Sequence, residues 1–201
     1  MKILFIFSFA IALLASCSKR DVPLDAPVKL PPPGEDFPEM IITGLNDLEV
    51  EYQKTQRLDL DNDGIFDVMF AVWYIGNPNQ HEDELLYFAA SGTESALMVG
   101  SDNESPRFSK GDLIPVKPVD GHDWYIVSQV EMAMKNIGYG QPYWEKAWKD
   151  VSHKFLAIRV QRSGQLYYGW IEVSMNKEKS TLILHRTGIS KVADKAVKAG
   201  V

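Results

Sequence analysis

Between Lys154 and His185 the chain writes three alternating runs separated by short turns, and few folds accept that pattern. Lys154 to Gln161 alternates Phe155, Ala157 and Arg159 against Leu156, Ile158 and Val160. Arg162-Ser163-Gly164-Gln165 is a turn, and Leu166 to Met175 is a second run with Tyr167, Tyr168 and Trp170, where Gly169 leaves room beside the aromatic rings. Asn176 to Lys179 turns again, and Ser180 to His185 is a third run. Side chains alternating with period two are strands, and strands joined by such short turns pair antiparallel as a meander. A helical bundle or a doubly wound parallel sheet is excluded for this third of the chain.

Earlier segments extend the same reading. Asp47 to Leu60 alternates through Leu48, Val50, Tyr52, Leu58 and Leu60, and Ile65 to Tyr74 is apolar on both faces, as a central strand would be. Between them stands Asp59-Leu60-Asp61-Asn62-Asp63-Gly64-Ile65-Phe66-Asp67, four carboxylates in nine positions. Asn62-Asp63-Gly64 suits the positive φ angles of a tight turn, so these strands are expected to form a hairpin with the acidic loop at its tip. Leu85 to Ala90 and Ser95 to Val99 are short strands, and Pro115 and Pro118 keep their region out of a sheet interior. Tyr125 to Asn136 stays open between strand and helix, since Ile126, Val130 and Met134 recur every four residues. Trp144 to Lys149 is one helical turn or an aromatic loop. The fold expected is all-β, an antiparallel, jelly-roll-like β-sandwich with at most one or two short helices.

The N-terminus has a different composition. Met1-Lys2, an apolar run from Ile3 to Leu14, and Ala15-Ser16-Cys17 have the form of a secretory signal peptide. The run is shorter than the roughly 20 residues of a membrane span. Cys17, the sole cysteine, stands at the expected cut and resembles the lipobox of bacterial lipoproteins, whose cysteine becomes the acylated first residue. An ordinary signal peptide with an incidental cysteine is the alternative. A lipid-bearing Cys17 would leave no thiol for catalysis, disulfides or metal. Six of the eleven prolines fall between residues 23 and 38, so residues 17–38 are expected to be an extended tether. The organisation expected is thus a signal peptide over 1–16, an acylated tether over 17–38 and one β-sandwich domain over 39–201. Residues 1–16 carry a single charged group, Lys2, so the remainder holds 20 basic and 27 acidic groups, a net −7. That acidity disfavours nucleic acid and anionic headgroups as partners.

Two patterns together resemble a known kind of domain. Leu58-Asp59-Leu60-Asp61-Asn62-Asp63-Gly64-Ile65-Phe66-Asp67-Val68-Met69-Phe70 is the first; Phe155-Leu156-Ala157-Ile158, Gly164 and Tyr167-Tyr168-Gly169-Trp170-Ile171-Glu172-Val173-Ser174 make the second. They are similar to exported β-sandwich domains of Bacteroidetes lipoproteins and of PEP-CTERM-type surface proteins, over most of residues 57–200. Where many of those domains carry Tyr-Glu after the last strand, this chain has Arg186-Thr187-Gly188-Ile189. The resemblance implies a sandwich fold and a place in the cell envelope, with lipid attachment to the outer membrane, and names no activity.

Three chemistries compete for the function. The acidic loop is not an EF-hand, because the twelfth position from Asp59 is Phe70 where a bidentate Glu is required. A looser calcium (Ca2+) site could use Asp59, Asp61, Asp63 and Asp67 with the carbonyl of Ile65; alternatively the aspartates only solubilise a hairpin tip. Glycan or envelope-protein binding would draw on Tyr139, Tyr143, Trp144 and Trp148, clustered outside the clearest strands. A carbohydrate-active hydrolase would need paired carboxylates, for which Glu131, Glu145 and Glu172 are candidates without positional support. No nucleophile elbow, phosphate loop or His-Glu-x-x-His occurs, and His81, His122, His153 and His185 are scattered. No catalytic residue is therefore assigned. The expectation is an envelope lipoprotein whose calcium-stabilised sandwich binds a glycan or a protein, with a purely structural role as the alternative.

Overall fold

The computed structural model describes residues 36–77, 82–119 and 121–201. The expected signal peptide, Cys17, most of the tether and His81 lie outside them. The described residues contain no helix and form antiparallel sheets packed on one another, as the sandwich expectation requires.

The six-stranded sheet is built on the expected meander. It runs β1 (Met40–Val50), β12 (Thr181–Ser190), β11 (Gln165–Asn176), β10 (Lys154–Arg162), β5 (Ser95–Val99) and β7 (Asp123–Ile126). The five-stranded sheet runs β2 (Gln56–Leu58), β3 (Val68–Asn77), β4 (Glu82–Ser91), β8 (Gln129–Ile137) and β9 (Tyr143–Glu145). A small pair, β6 (Leu113–Ile114) with β13 (Val197–Lys198), adds a further layer. The runs β2–β3–β4, β8–β9 and β10–β11–β12 each stay within one sheet, and the remaining connections cross between sheets.

Two cores explain why β10 and β11 are apolar on both faces. Leu156, Ile158, Val160, Ile171 and Val173 meet Phe70, Val72, Tyr87 and Met132 of the other sheet. On the reverse face, Phe155, Ala157, Tyr168 and Trp170 pack with Ile114, Val197 and Ala199. Strand alternation therefore points the apolar residues of this hairpin into one core or the other, while Arg159 and Glu172 sit among polar and aromatic partners on the reverse face. Glycine supplies the space this needs. A Cβ on Gly188 would stand 2.5 Å from Cζ2 of the fully buried Trp170, and one on Gly169 would stand 2.2 Å from the Gly188 carbonyl oxygen. Gly188→Ala is accordingly expected to cost about 1–3 kcal/mol through overpacking, measurable as a lower urea midpoint at constant slope.

One expectation needs correction, and two open readings are decided. The run from Asp47 to Leu60 is not one strand. It breaks at a turn where Lys54 N–H donates to the Glu51 carbonyl (2.9 Å), sending β1 to one sheet and β2 to the other. Tyr125 to Asn136 is two strands, not a helix. A bulge opposite Tyr87 and Phe88 buries Val130, Met132 and Ala133 out of strict alternation, and with Ile126 exposed the four-residue recurrence marks no common buried face. Trp144 to Lys149 holds the end of β9 and a turn that drives Trp148 into the core.

Candidate metal centre and an aromatic sheet face

The hairpin expectation for the acidic loop is met by β2 and β3, which pair Leu58 with Val68 at the loop's base. Asn62 (φ 61°) and Gly64 (φ 90°) take the left-handed conformations of the turn. The loop is knitted by its own carboxylates. Asp59 Oδ1 accepts from Asn62 N–H (2.7 Å) and its Oδ2 from Gly64 N–H (2.9 Å). Asp63 Oδ1 accepts from Ile65 N–H (2.7 Å), and Asp67 Oδ2 from Leu60 N–H (2.7 Å). Asp67 is buried, and its main chain is fixed by Gly92 N–H (2.8 Å) and the Ser95 hydroxyl, both donating to its carbonyl.

Asp59, Asp61 and Asp67 each offer an oxygen within 4.8 Å of the others, an acidic triad that can hold a metal ion. Hard carboxylate oxygens select a hard cation. Asp63, caps Ile65 and stands outside that triad; Ile65 is exposed. The electrostatics are uneven. Burial pushes the Asp67 carboxyl up to about 7, with the charges of Asp61, Asp59 and Asp63 adding to the rise. For Asp59 a small desolvation is outweighed by the N–H groups of Gly64, Asn62, Asp63 and Asp61, which hold it below the usual range. One cation is already supplied by the other sheet: Arg162 Nε lies 3.0 Å from Asp61 Oδ2, and that carboxylate is almost wholly buried. The mutual repulsion of the aspartates is thus partly neutralised inside the protein, and the loop also staples β2–β3 to the β10–β11 turn.

The expected ligand aromatics separate. Tyr139 is 93% exposed and Tyr143 is exposed. Trp148 must be withdrawn from the set: it is fully buried and its Nε1 donates to the Ser105 carbonyl (3.1 Å). Trp144 turns inward too, packing on the main core with its ring 5.7 Å from that of Tyr87. The reason is strand alternation, which puts Tyr143 and Trp144 on opposite faces of β9.

Register assembles a different aromatic face. Trp73 lies opposite Leu86, Leu86 opposite Met134 and Met134 opposite Glu145. In the next row on that face, Ile75 meets Glu84, Glu84 meets Asn136, and Asn136 meets Tyr143. Trp73 is 49% exposed and rests on the buried ring of Phe88, centroids 4.3 Å apart. Asn136 Nδ2 donates to Glu145 Oε2 (3.1 Å), and the Tyr143 hydroxyl to Glu82 Oε2 (3.4 Å). The outward face of the five-stranded sheet thus carries two aromatic surfaces among carboxylates, with the buried Asn136 amide holding Glu145. In the sequence, Trp73 is one residue of an all-apolar run, and only its register and the open outer face single it out.

The carboxylates considered for hydrolysis are each engaged elsewhere. Glu131 pairs with Lys146 (2.7 Å), Glu145 accepts from Asn136, and Glu172 accepts from Arg186 and lies 2.9 Å from His153 Nδ1. No protein-family model matches this chain, and comparison with curated proteins and with solved structures finds no match to either.

Proposed function

We propose that this chain is a lipid-anchored cell-envelope protein whose sandwich binds glycan on the outward face of its five-stranded sheet, with calcium bound at Asp59, Asp61 and Asp67 as a stabiliser. The observation that carries the binding reading is Trp73, a half-exposed indole backed by Phe88 on the sheet face that further along also carries Glu84, Tyr143 and Glu145. A sugar ring offers an apolar C–H face for an indole and a rim of hydroxyls for carboxylates and amides. A rigid aromatic platform with few convergent polar groups has that complementarity. Anionic polymers are opposed by the same carboxylates, which directs the reading to neutral glycans. Calcium follows from the hard-oxygen donor set; carbonyls and water would complete the six to eight ligands it takes. The anchor and the envelope location rest on the sequence alone, on Lys2, the apolar run and Cys17.

A neutral-glycan array followed by titration calorimetry on the hit tests this. Trp73→Ala is expected to weaken binding more than about 10-fold, as loss of a central aromatic anchor does. Tyr139→Ala, away from the platform rows, should leave it within about 2-fold. Equal affinities for Trp73→Ala and the parent protein would overturn the proposal, and a barren array would return the chain to a purely structural role.

A further inference from the structure

On the six-stranded sheet, three neighbouring strands bring together side chains that are far apart in sequence. His185 Nε2 of β12 lies 2.8 Å from Ser174 Oγ of β11, and His185 Nδ1 lies 2.6 Å from Asp47 Oδ1 of β1. A carboxylate can only accept here, so in the neutral imidazole Nδ1 carries the proton and Nε2 is the acceptor for the serine hydroxyl. Ser174 Oγ also accepts the main-chain N–H of His153 (2.9 Å), so its own proton is free to point at the imidazole. These contacts reproduce the order nucleophile, base, orienting carboxylate that activates a serine.

Regular pairing would not produce this set. Ser174 is registered with Ile183, and His185 reaches it because β12 carries an extra residue where Glu172 pairs Arg186 and Val173 pairs Leu184. That bulge turns His185 and Arg186 to the same outer face. The β1 ladder breaks between Gly44 and Leu48, and there Asn46 (φ 53°) and Asp47 (φ 54°) adopt left-handed conformations. His153, at φ 50°, is strained as well, and its ring stacks on that of His185 with centroids 4.3 Å apart. Two bulges and three left-handed non-glycine residues thus converge on one serine. Bulges re-aim side chains, and strain of this kind is concentrated at functional sites. A clamp joining three strands could be made from any hydrogen-bonded side chains without such departures.

We propose that Ser174, His185 and Asp47 form a nucleophilic centre that hydrolyses acyl esters. Ser174 Oγ attacks the ester carbonyl carbon while its proton passes to His185 Nε2. The tetrahedral adduct collapses, the bond to the alcohol oxygen breaks, and the alcohol leaves with that proton. Water then attacks the acyl-serine, gives a proton to His185 and releases the carboxylic acid as the serine is restored. Asp47 is a positioning residue that holds the tautomer. His153 positions Ser174 through its N–H and His185 through its ring. The charged or titratable groups around the imidazole are Asp47 from β1, Glu172 from β11, Arg186 from β12 and His153 ahead of β10. Ser174 is only 9% exposed, while Asp47 is 75% exposed on the open sheet face. So little exposure of the hydroxyl restricts the substrate class to small acyl groups, as in a short-chain ester or an O-acetyl group projecting from a polymer. This centre lies on the other sheet from Trp73 and is independent of glycan binding there.

The test uses the purified full chain, p-nitrophenyl acetate and a fluorophosphonate probe. The expected result is one probe adduct, mapped by mass spectrometry to Ser174, and turnover that Ser174→Ala lowers at least 100-fold with its melting temperature retained. Asp47→Asn, on the exposed end of the relay, should lower kcat at least 10-fold with KM unchanged. It decides the matter if Ser174→Ala fails to fold. No adduct, an adduct on another residue, or turnover that survives either substitution in a folded protein would overturn the proposal.

Discussion

Trp148→Ala is expected to lower the free energy of unfolding by about 3–5 kcal/mol, a large share of the roughly 5–15 kcal/mol available to a domain of this size. The indole is fully buried in the core between the two large sheets. Its removal leaves a cavity lined by neighbours that β-sheet hydrogen bonds hold in place, so collapse around it is limited. It also leaves the buried Ser105 carbonyl without the Nε1–H that satisfies it, a further penalty of about 1–3 kcal/mol that overlaps with the first. The Trp148 N–H donation to Met132 (2.9 Å) survives the change and keeps the turn docked on β8. Tyr139→Ala, at 93% exposure, should stay within about 0.5 kcal/mol. Urea denaturation of the two variants separates a core role from a surface role for these aromatics. A loss under 1 kcal/mol at Trp148 would contradict its place in the core.

That contrast shows which parts of this protein were legible in its sequence. Period-two alternation from Lys154 to His185 marks strands because backbone geometry is local, and the hairpin at Asp59 to Asp67 is marked by turn chemistry that is equally local. Alternation cannot say which face meets solvent. On β10 and β11 the answer is neither, because the β6–β13 layer covers the outer side. On β9 one residue of parity decides that Tyr143 faces out and Trp144 in. Trp73 becomes a platform only once register sets it opposite Leu86 on an uncovered face, a fact written in the pairing of distant segments. The meeting of Ser174, His185 and Asp47 was less legible still. It depends on one extra residue in β12, and a bulge leaves almost no trace in composition. In the acidic loop, the carboxylates are visible in sequence but Arg162, arriving from the β10–β11 turn to pair with Asp61, is not. Part of the loop's repulsion is therefore relieved by a partner the sequence does not show.

That leaves Asp67 as the residue whose charge decides how the loop behaves. Its carboxyl is raised to about 7 in the folded protein, against about 4 in an unfolded chain. A group raised by folding stabilises the folded state while it is protonated. The contribution is therefore complete below pH 4, is lost as pH climbs to 7, and is absent above. Metal-free protein should lose about 2–4 kcal/mol over that window. Asp67→Asn keeps an oxygen for Leu60 N–H and carries no charge, so in chelator at pH 8 it should melt several degrees above the parent protein. A bound cation reverses the balance, because ionised Asp67 then becomes a ligand. Calcium at about 100 times its Kd would add about 2.7 kcal/mol at pH 8, far less at pH 5 where protons compete, and nothing to Asp67→Asn. Melting curves at both pH values, with chelator and with excess calcium, resolve the two effects. If the parent protein melts identically with calcium and with chelator at pH 8, the metal reading fails while the pH dependence stands; if Asp67→Asn is destabilised in chelator at pH 8, the buried carboxylate is instead held by Leu60 and its neighbours as a structural anion.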